Sequence, residues 1–570
     1  MSSKNVKGSN RAPAELPDFI RRLLIKRGVK DQKAIEGFLF PKLKDLPRPE
    51  KMKNLDAAAK LATRYVIEKK TIVIWGDYDV DGTTGTALLV NFFRELGVET
   101  IWHIPNRLVE GYGVNLSWFR DNNALGGNAN FLLITVDCGS SNSHEISVLT
   151  ESGADVIVTD HHELPGDGVP ETLILNPMQQ DCGFAGEKLA GVGVAFYLAA
   201  KIRSELIENS KYNQAAAAIN LKNYLAFVAL GTIADMVELT ATNRILVRAG
   251  VETLDATPFT GLKLLLQSSG VERGDLSSED IGFLIGPKIN AAGRLGESRA
   301  VVELFTTDDL QKIKTNISLI ESLNSKRKEL CLADTDQAFL ELEQETASDR
   351  KAIVLAGDYH LGVAGIVASR ITDKYNLPVI ILSRQTDSSG NCYFKGSGRS
   401  VEGIDLVASL ADCSSLLIKF GGHKMAVGLT VDGRRVGEFI KRFESAVAKQ
   451  FCNLQRAQIA PYDVQCSVSE VMDDESLYFL KLLEPFGTAN PHPKFLDKTM
   501  NIVCAKTVGQ NEEHLSVTIR GKYTNYKGIG FGLGKDIDEV QRSPTRPAVF
   551  TYTKNRYRNT VSWQVRLLTL

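Results

Sequence analysis

Along the first half of the chain, short apolar runs alternate with stretches of helical spacing. Asp56 to Glu68 has the pattern of an amphipathic helix, Thr71 to Trp75 reads as a buried strand, and Thr83 to Leu96 returns to helical spacing. Phe131 to Val136 is a second apolar run, followed by a helix near His144 to Ser152, and Asp155 to Thr159 is a third. This alternation predicts a parallel α/β sheet, in which ligands bind beyond the carboxyl ends of the strands. From Asp308 to about Glu345 neither Pro nor Gly occurs, and apolar residues fall at 310, 313, 317, 320, 323 and 330. At 1.5 Å per residue, a helix of that length covers roughly 55 Å. One long connecting helix or two shorter packed helices satisfies the pattern. Residues 351–450 resume α/β texture, with strands at Ala352 to Leu355 and Val379 to Leu382 and a helix near Val363 to Tyr375. Beyond residue 460 the runs are short and alternating, as at Leu515 to Ile519 and Thr560 to Leu568, which predicts a small β-barrel.

Length and charge refine this picture. A chain of 570 residues with 43% hydrophobic and 24% charged residues is ordinary globular composition spread over several packed units. No apolar run approaches the roughly 18 residues of a spanning helix; Ala190 to Ala200 and Leu377 to Leu382 come nearest. The amino terminus has early Lys and Arg with no apolar stretch behind them, so a secretory signal is not expected and the expected location is cytoplasmic. Eight Cys at 138, 182, 331, 392, 413, 452, 466 and 504 form no CxxC pair, which argues against a disulfide framework or a zinc ribbon. The net charge of -1 conceals an asymmetry. Residues 1–53 carry 14 Lys or Arg against 6 Asp or Glu, and residues 520–570 carry 10 against 3. Such ends are either solvated surface or a hold on something anionic, nucleic acid or membrane.

The candidate chemistry sits where the strands end. Thr71 to Trp75 runs into Gly76-Asp77-Tyr78-Asp79-Val80-Asp81-Gly82, the second run into Asp137-Cys138-Gly139, and the third into Asp160-His161-His162. A fourth candidate, Asp235, follows the apolar stretch Leu225 to Ala234. An Asp after a strand commonly only caps a turn or a helix, so each acid alone says little. The DxDxDG run also matches the opening of a calcium loop, but position 12 is Leu88 where that loop needs Glu, and a strand rather than a helix precedes it. Taken together, Asp79, Asp81, Asp137 and Asp235 with one imidazole form a hard, oxygen-rich set suited to Mg²⁺ or, with the histidine, Mn²⁺. Four carboxylates in one place repel one another, and two divalent ions neutralise them. Two such ions support displacement at a phosphodiester or phosphoanhydride.

In that order GDYDVDGTTG, VDCG, TDHH and ADMVEL resemble the four amino-terminal motifs of the DHH phosphoesterase superfamily. GPKINAAGRLG, HLGVAGIVASR, GSGRS and FGGHKMAVG extend the resemblance to the single-strand exonuclease branch of that superfamily, whose second domain is of DHHA1 type. PFGTANPHPKF resembles the segment entering that branch's OB-fold. The resemblance covers residues from about 54 to 495, and the ordered set is far more specific than the DHH triplet alone. It implies a DHH parallel-sheet domain (54–305), a connecting helix (306–348), a smaller DHHA1 α/β domain (349–455) and a carboxyl-terminal OB-fold β-barrel (456–570), with residues 1–53 a basic arm of no assigned role. It matches Asp79, Asp81, Asp137, His161 and Asp235 to metal ligands, with Asp77 a further ligand or supporting acid, and gives catalytic roles to His162 and Asp160. Some relatives have His four residues before the first ligand, where this chain has Trp75, which leaves the preferred metal open. Arg107, Arg294, Ser397, Arg399, Gly421, Gly422 and His423 match residues that bind a 5′-phosphate and the DNA backbone; the weaker alternative for GSGRS and FGGH is a pair of tight turns between strands.

The carboxyl-terminal region adds a possible strand-binding surface. Arg520, Lys522, Lys527, Lys554, Arg556, Arg558 and Arg566 are interleaved with Tyr523, Tyr526, Phe531, Tyr552, Tyr557 and Trp563, the cations and stacking planes of a single-strand groove. The expectation is a monomeric 5′ to 3′ exonuclease that uses two Mn²⁺ or Mg²⁺ ions to cut single-stranded DNA to mononucleotides in repair and recombination. The resemblance adds a single-strand-binding protein and a helicase as partners, and no membrane is expected. The alternatives are a nuclease or phosphodiesterase on short RNA or cyclic dinucleotides, and a catalytically silent scaffold that binds a helicase.

Overall fold

Five parallel strands carry the acids: β1 (Thr71–Gly76), β2 (Ile101–His103), β3 (Phe131–Val136), β4 (Asp155–Thr159) and β5 (Leu173–Leu175), in the order β2-β1-β3-β4-β5. The structure, a computed structural model, describes residues 16–122, 130–184, 187–271, 274, 276–344, 350–387, 389–451, 462–557 and 560–570, with the side chains of 556–561 left out. β3, at the centre of the sheet, is buried along its whole length, so both faces are covered by helices and its residues read as one apolar run. The helix Val80–Glu95 starts three residues earlier than its apolar spacing suggests, because Asp79 caps it by accepting from the Gly82 amide at 3.0 Å. Its polar residues can lie in the core because Thr84 and Thr86 donate to the carbonyls of Val80 and Gly82, at 2.7 and 2.8 Å.

The apolar stretch before Asp235 is the buried helix Leu225–Ala234, not a strand. A short, fully apolar run does not distinguish the two by periodicity.

The linker question resolves as one helix, Leu310–Gln344, of 35 residues. Its first half, through Ile313 and Ile320, joins the core of the parallel-sheet domain. Its second half, through Cys331, Ala338 and Leu342, joins the core against β6 and β7. A single rod is therefore built into both domains. The second sheet has the order β6-β7-β8-β10-β9, from β6 (Ile353–Gly357), β7 (Val379–Thr386), β8 (Cys392–Arg399), β9 (Leu417–His423) and β10 (Ala426–Asp432). Only its β6–β7 pair is parallel.

The third sheet comprises β11 (Val464–Gln465), β12 (Phe495–Val508), β13 (His514–Arg520), β14 (Asn525–Gly530), β15 (Thr545–Tyr557) and β16 (Thr560–Thr569). β12 pairs with β13 on one side and β15 on the other, which closes the sheet into the expected barrel. Among the described residues no helix is long and apolar enough to cross a membrane.

The described part of the basic amino-terminal segment is a strap rather than a free arm. Phe19, Ile20, Leu23 and Leu24 from the helix Asp18–Lys26, and Ile35 and Leu39 from Gln32–Leu39, belong to the barrel's own core. Phe19 meets Phe495 edge-on at 5.8 Å. Several of the cations noted in the sequence are spent on main-chain carbonyls: Lys26 donates to Tyr462 and Asp463 at 2.9 and 3.1 Å, and Arg27 to Pro491.

Arg244 ties the three parts together. It is only 3% exposed and donates to the carbonyls of Phe38, Leu482, Leu483 and Glu484 at 2.9 to 3.0 Å. Burial, then Arg248 and Arg27 beside it, lower its pKa to about 9. Arg244→Ala leaves those buried carbonyls without a donor and should destabilise the chain by about 3 kcal/mol. Arg244→Lys should recover little, since an ammonium lacks the planar fork. Chemical unfolding of the full chain measures both, and a variant as stable as the parent would contradict this role for Arg244.

Candidate metal centre and phosphate pocket

Main-chain pairing aligns three acids one residue beyond their strands. The Asp77 amide donates to Val136, Asp137 to Thr159 and Asp160 to Leu175, at 2.9 to 3.1 Å, so the ladder continues and the carboxylates stand side by side. Asp137 takes a left-handed φ of 62° at the strand end. The helix Gly191–Ile207 comes so close that a Cβ on Gly191 would lie 2.7 Å from Asp137 Cβ, which only glycine avoids. Asp81, in the first turn of its helix, accepts from the Gly191 and Val192 amides at 2.6 and 2.9 Å. Asp235 is at the carboxyl end of its helix, over the same cleft.

These residues converge in three sets. Ligand atoms of Asp77, Asp79 and Asp137 lie within 4.8 Å of one another, as do those of Asp81, His161 and Asp235 and those of Asp137, His161 and His162, so that the last set overlaps the other two. His161 Nε2 bridges the sets, 3.1 Å from Asp137 Oδ1, 3.5 Å from Asp235 Oδ2 and 3.6 Å from Asp81 Oδ2. Although His161 Nε2 and Asp137 Oδ1 are close, neither makes a hydrogen bond, and buried Asp77 Oδ1 is likewise unpartnered. Lone pairs that are buried, converging and unpaired suit a cation. The donor set, carboxylates plus one imidazole, fits Mn²⁺ or Mg²⁺.

The electrostatics reflect that convergence. Burial first, then Asp79, raises Asp81 to about 7, and burial with Asp79 and Asp81 raises Asp235 to about 9. Asp77 and Asp137 are pushed well up, by burial and then by their acidic neighbours. Burial and the neighbouring His162 lower His161 to about 4, leaving it neutral, the form that ligates metal. His162 goes the other way. Burial opposes its charge, but the 2.8 Å bond between its Nδ1 and Asp160, with Asp235 and Asp77 nearby, raises it to about 9. For Asp160, burial is outweighed by the bonds from His162 and the Ser140 amide, which hold it well below the usual carboxylate range.

Trp75 is fully buried and turned away from the acids. Its Nε1 donates to Gly113 at 3.2 Å, and its ring stacks on Phe119 at 5.3 Å. It offers no ligand atom.

The arginines named from the sequence gather where the two α/β domains meet. Arg294 donates across the domain boundary to Gly362 at 3.2 Å, and Arg399 to Ser397 Oγ at 3.2 Å. Arg107 lies over the Tyr78 ring at 5.0 Å. Burial, then Arg107, Arg399 and Arg327, lower Arg294 to about 10. Burial, then Arg107, lower Arg399. Among the described residues none of Arg107, Arg294 and Arg399 has a carboxylate within ion-pair distance. A Cβ on Gly365 would sit 2.9 Å from both Arg399 Nη2 and Ser397 Oγ, so the helix Ala364–Tyr375 begins against this cluster.

GSGRS and FGGH are not tight turns. Gly396–Arg399 lie within β8, and Phe420–His423 within the edge strand β9. Gly421 and Gly422 are exposed strand residues, and His423 is close enough to contribute to the lowering of His161.

Tyr112 is given no role by the sequence reading, although it lies five residues beyond Arg107. Its hydroxyl is 3.3 Å from both His162 Nδ1 and the Asp137 carbonyl. Arg327, on the linker helix, adds a cation to the arginine cluster and has a buried, unpartnered Nε. Isolated from any motif, it gave no signal. In the barrel, Tyr552 is core, 2% exposed, and offers no stacking face. Tyr523 and Phe531 are 88% and 55% exposed, with Lys522 and Arg566 over their rings at 5.0 and 5.5 Å. The Arg556, Tyr557 and Arg558 side chains lie outside the described residues.

Without metal, Asp81 and Asp235 hold protons above the ordinary 3.8, up to about 7 and about 9. The folded form then binds more protons than the unfolded one, so metal-free stability should fall as pH rises from about 4 to about 9. His162, raised from 6.5 to about 9, adds a loss of the same sign. Mn²⁺ replaces those protons, so its stabilising effect should grow across the same window. Thermal unfolding with chelator and with Mn²⁺ tests this; chelated protein that gains stability towards alkaline pH would refute it.

Three family models match the chain: "DHH family, N-terminal domain" at residues 71–232, "DHHA1 domain" at 349–449 and "RecJ OB domain" at 462–569. The chain is 35% identical over 540 residues to the single-stranded-DNA-specific exonuclease RecJ of Salmonella typhimurium, covering 91% of this chain and 90% of that protein. It is 34% identical over 519 residues to RecJ of Bacillus subtilis, covering 91% of this chain but only 63% of that longer protein. Among solved structures, RecJ of Thermus thermophilus in complex with Mn²⁺ superposes with a TM-score of 0.77 at 29% identity, covering 97% of this chain and 78% of that one. The same Thermus protein with Mg²⁺ gives a TM-score of 0.73 at 28% identity, covering 96% and 73%. With three domain matches in order and near-complete coverage of a relative above 30% identity, the chain belongs to the RecJ family.

Proposed function

We propose that this chain is a 5′ to 3′ exonuclease that hydrolyses single-stranded DNA to mononucleotides. The observation that carries this reading is the adjacency of the converging metal-ligand atoms to a cluster of guanidiniums without carboxylate partners at the domain boundary, with Arg107 over the Tyr78 ring beside Asp77. Asp77, Asp79 and Asp137 would hold one divalent ion and Asp81, His161 and Asp235 the other. Mn²⁺ or Mg²⁺ bound there would supply Lewis acidity and neutralise charge at the scissile phosphate.

The protein's own residues do the rest. Arg107, Arg294, Arg399 and Ser397 bind the terminal 5′-phosphate, for which forked donors are suited. Water attacks the phosphorus, forming the new P–O bond and releasing a proton to solvent, while His162, kept protonated by Asp160 and facing the cleft, gives its proton to the 3′-oxygen of the departing nucleotide as the P–O3′ bond breaks. The phosphate stays on the shortened strand, whose new end again fits the arginine pocket. Gly421, Gly422 and His423 on the exposed edge of β9 contact the backbone across the cleft. Exposed Tyr523 and Phe531, with their cations, give the strand stacking faces, each worth about 1 to 3 kcal/mol per base.

The division of labour follows the expected boundaries: 54–305 for the metals, 306–348 as spacer, 349–455 for the phosphate end, and 456–570 for the strand. A cytoplasmic monomer working in DNA repair and recombination with a single-strand-binding protein and a helicase belongs to the same reading. The converging ligands speak against a silent scaffold. The barrel has no use in a phosphodiesterase acting on cyclic dinucleotides.

End-labelled single strands of both polarities, digested with Mn²⁺, Mg²⁺ or chelator, test metal dependence, polarity and product size together. Asp81→Ala and Asp137→Ala should each cost at least about a thousandfold in kcat. Arg399→Ala should raise KM about tenfold to a hundredfold on 5′-phosphorylated strands and leave 5′-hydroxyl strands nearly unchanged. Equal losses on both ends would remove the arginines from end recognition.

A further inference from the structure

Arg107 stands on a loop, Pro105 to Val114, between β2 and the helix Leu116–Asp121. A long side chain on a loose loop makes a poor phosphate clamp, because ordering both subtracts from the binding free energy. This loop is held by its own side chains. Asn106, one residue ahead of Arg107, uses every polar group it has. Its carbonyl accepts from the amides of Val109, Glu110 and Gly111 at 3.1, 2.7 and 3.2 Å, and its Oδ1 from those of Leu108 and Val109 at 2.9 and 3.3 Å. Its own amide donates to Glu110 Oε1 at 2.7 Å, and its Nδ2 to the Gly296 carbonyl at 3.0 Å. Gly296 closely follows Arg294 and has a φ of 81°; a Cβ there would lie 2.7 Å from Asn106 Nδ2. Through this contact Asn106 sets the turn that carries Arg107 against the end of the helix that carries Arg294.

Glu110 closes the turn from the other side. Its second oxygen, Oε2, is 2.9 Å from His103 Nε2. A carboxylate only accepts, so the imidazole carries its hydrogen on Nε2. Burial, opposed by Glu110, lowers the His103 pKa and keeps the ring neutral. His103 is the last residue of β2, and its ring lies 4.6 Å from Trp75 and 5.0 Å from Trp118. Trp75, which offers the metals no ligand atom, is thus part of the wall behind the phosphate loop. Beyond Gly111, at a φ of 85°, other bonds take over: Trp75 Nε1 donates to the Gly113 carbonyl and the Val114 amide to Asn142 Oδ1, both at 3.2 Å. The turn from Asn106 to Glu110 is therefore a separate unit, and Tyr112, beside His162, is held independently of it.

We infer that Asn106 and Glu110 are positioning residues that give the chain its selectivity for phosphorylated 5′ ends. Their side chains bind main-chain groups and His103 rather than substrate, and they keep Arg107 at a fixed separation from Arg294. The inference rests on the reading of Arg107 as a ligand of the terminal phosphate. A turn that served only to stabilise the loop would, when broken, lower stability and leave the preference between ends as it was.

Steady-state digestion of 5′-phosphorylated and 5′-hydroxyl oligothymidylate by the full chain with Mn²⁺ tests this, the readout being the ratio of kcat/KM for the two ends. Asn106→Ala and Glu110→Ala should each raise KM about tenfold on phosphorylated strands with kcat within about twofold, and should cut 5′-hydroxyl strands as the parent does, which also reports that they fold. Glu110→Gln keeps an oxygen for the Asn106 amide and should restore most of the preference. Adding Glu110→Ala to Arg107→Ala should cost nothing further, since both act through one guanidinium. If Arg107→Ala abolishes the preference while both Asn106→Ala and Glu110→Ala retain it, or lose activity equally on both ends, the phosphate pocket stands and the inference is overturned. If Arg107→Ala itself keeps the preference, the reading of the pocket and the inference fall together.

Discussion

The arrangement depends on a repulsion. Asp77, Asp81 and Asp137 are almost wholly removed from water, and Asp79 and Asp235 stand close enough to raise their proton affinities. Such a cluster is stable only with protons or divalent cations among the carboxylates. Main-chain amides stabilise Asp81 in part, but buried Asp77 Oδ1 and Asp137 Oδ1 have no donor. The fold holds these oxygens in place through the β-ladder, so the cost of assembling a cation site is met when the sheet forms.

The two histidines of one tripeptide show how neighbouring groups divide chemical roles. His161 points between the carboxylates, has no hydrogen-bond partner at Nε2 and is held neutral by burial. His162, one residue on, turns to Asp160 and is held charged. A pair of titratable groups pushed in opposite directions is the signature of separate ligand and acid functions. Asp160 can serve as the partner because the Ser140 amide and the His161 and His162 amides also donate to it.

Much of this was legible in the sequence, because parallel strands announce themselves as apolar runs and their ends as acids. The converging side chains were legible as acids and histidines at strand ends, the barrel as short alternating runs beyond residue 460, and the order of the domains from the family resemblance. The failures have physical causes. A fully apolar stretch before Asp235 has no period to distinguish strand from helix, and the chain made a helix. The excess of cations in residues 1–53 left an anion site open, but an electrostatic count cannot see that Lys26 and Arg27 are consumed by carbonyls more than four hundred residues away. Tyr552 looked like a stacking platform and is core, because alternation along β15 decides which aromatic faces in. Tyr112 and Arg327 gave no signal of their own: the first acts through a tertiary contact with His162, the second by joining three other arginines from a different element.

Polarity, in the proposed reading, is a matter of length. The candidate metal ligands of the sheet stand at the ends of β1, β3 and β4, whereas Ser397 and Arg399 of the proposed phosphate pocket stand on β8 of another domain. Hydrolysis one nucleotide from the end requires that the distance between them be fixed, and a flexible connection would let it drift by several ångström. The linker helix removes that freedom, since its two halves are packed into the cores of the two domains. Arg294 adds a direct bond across the boundary to Gly362, beside the pocket itself. In that reading the spacer and the pocket are one device: the contacts that hold the domains together would also set the register at which the strand is cut.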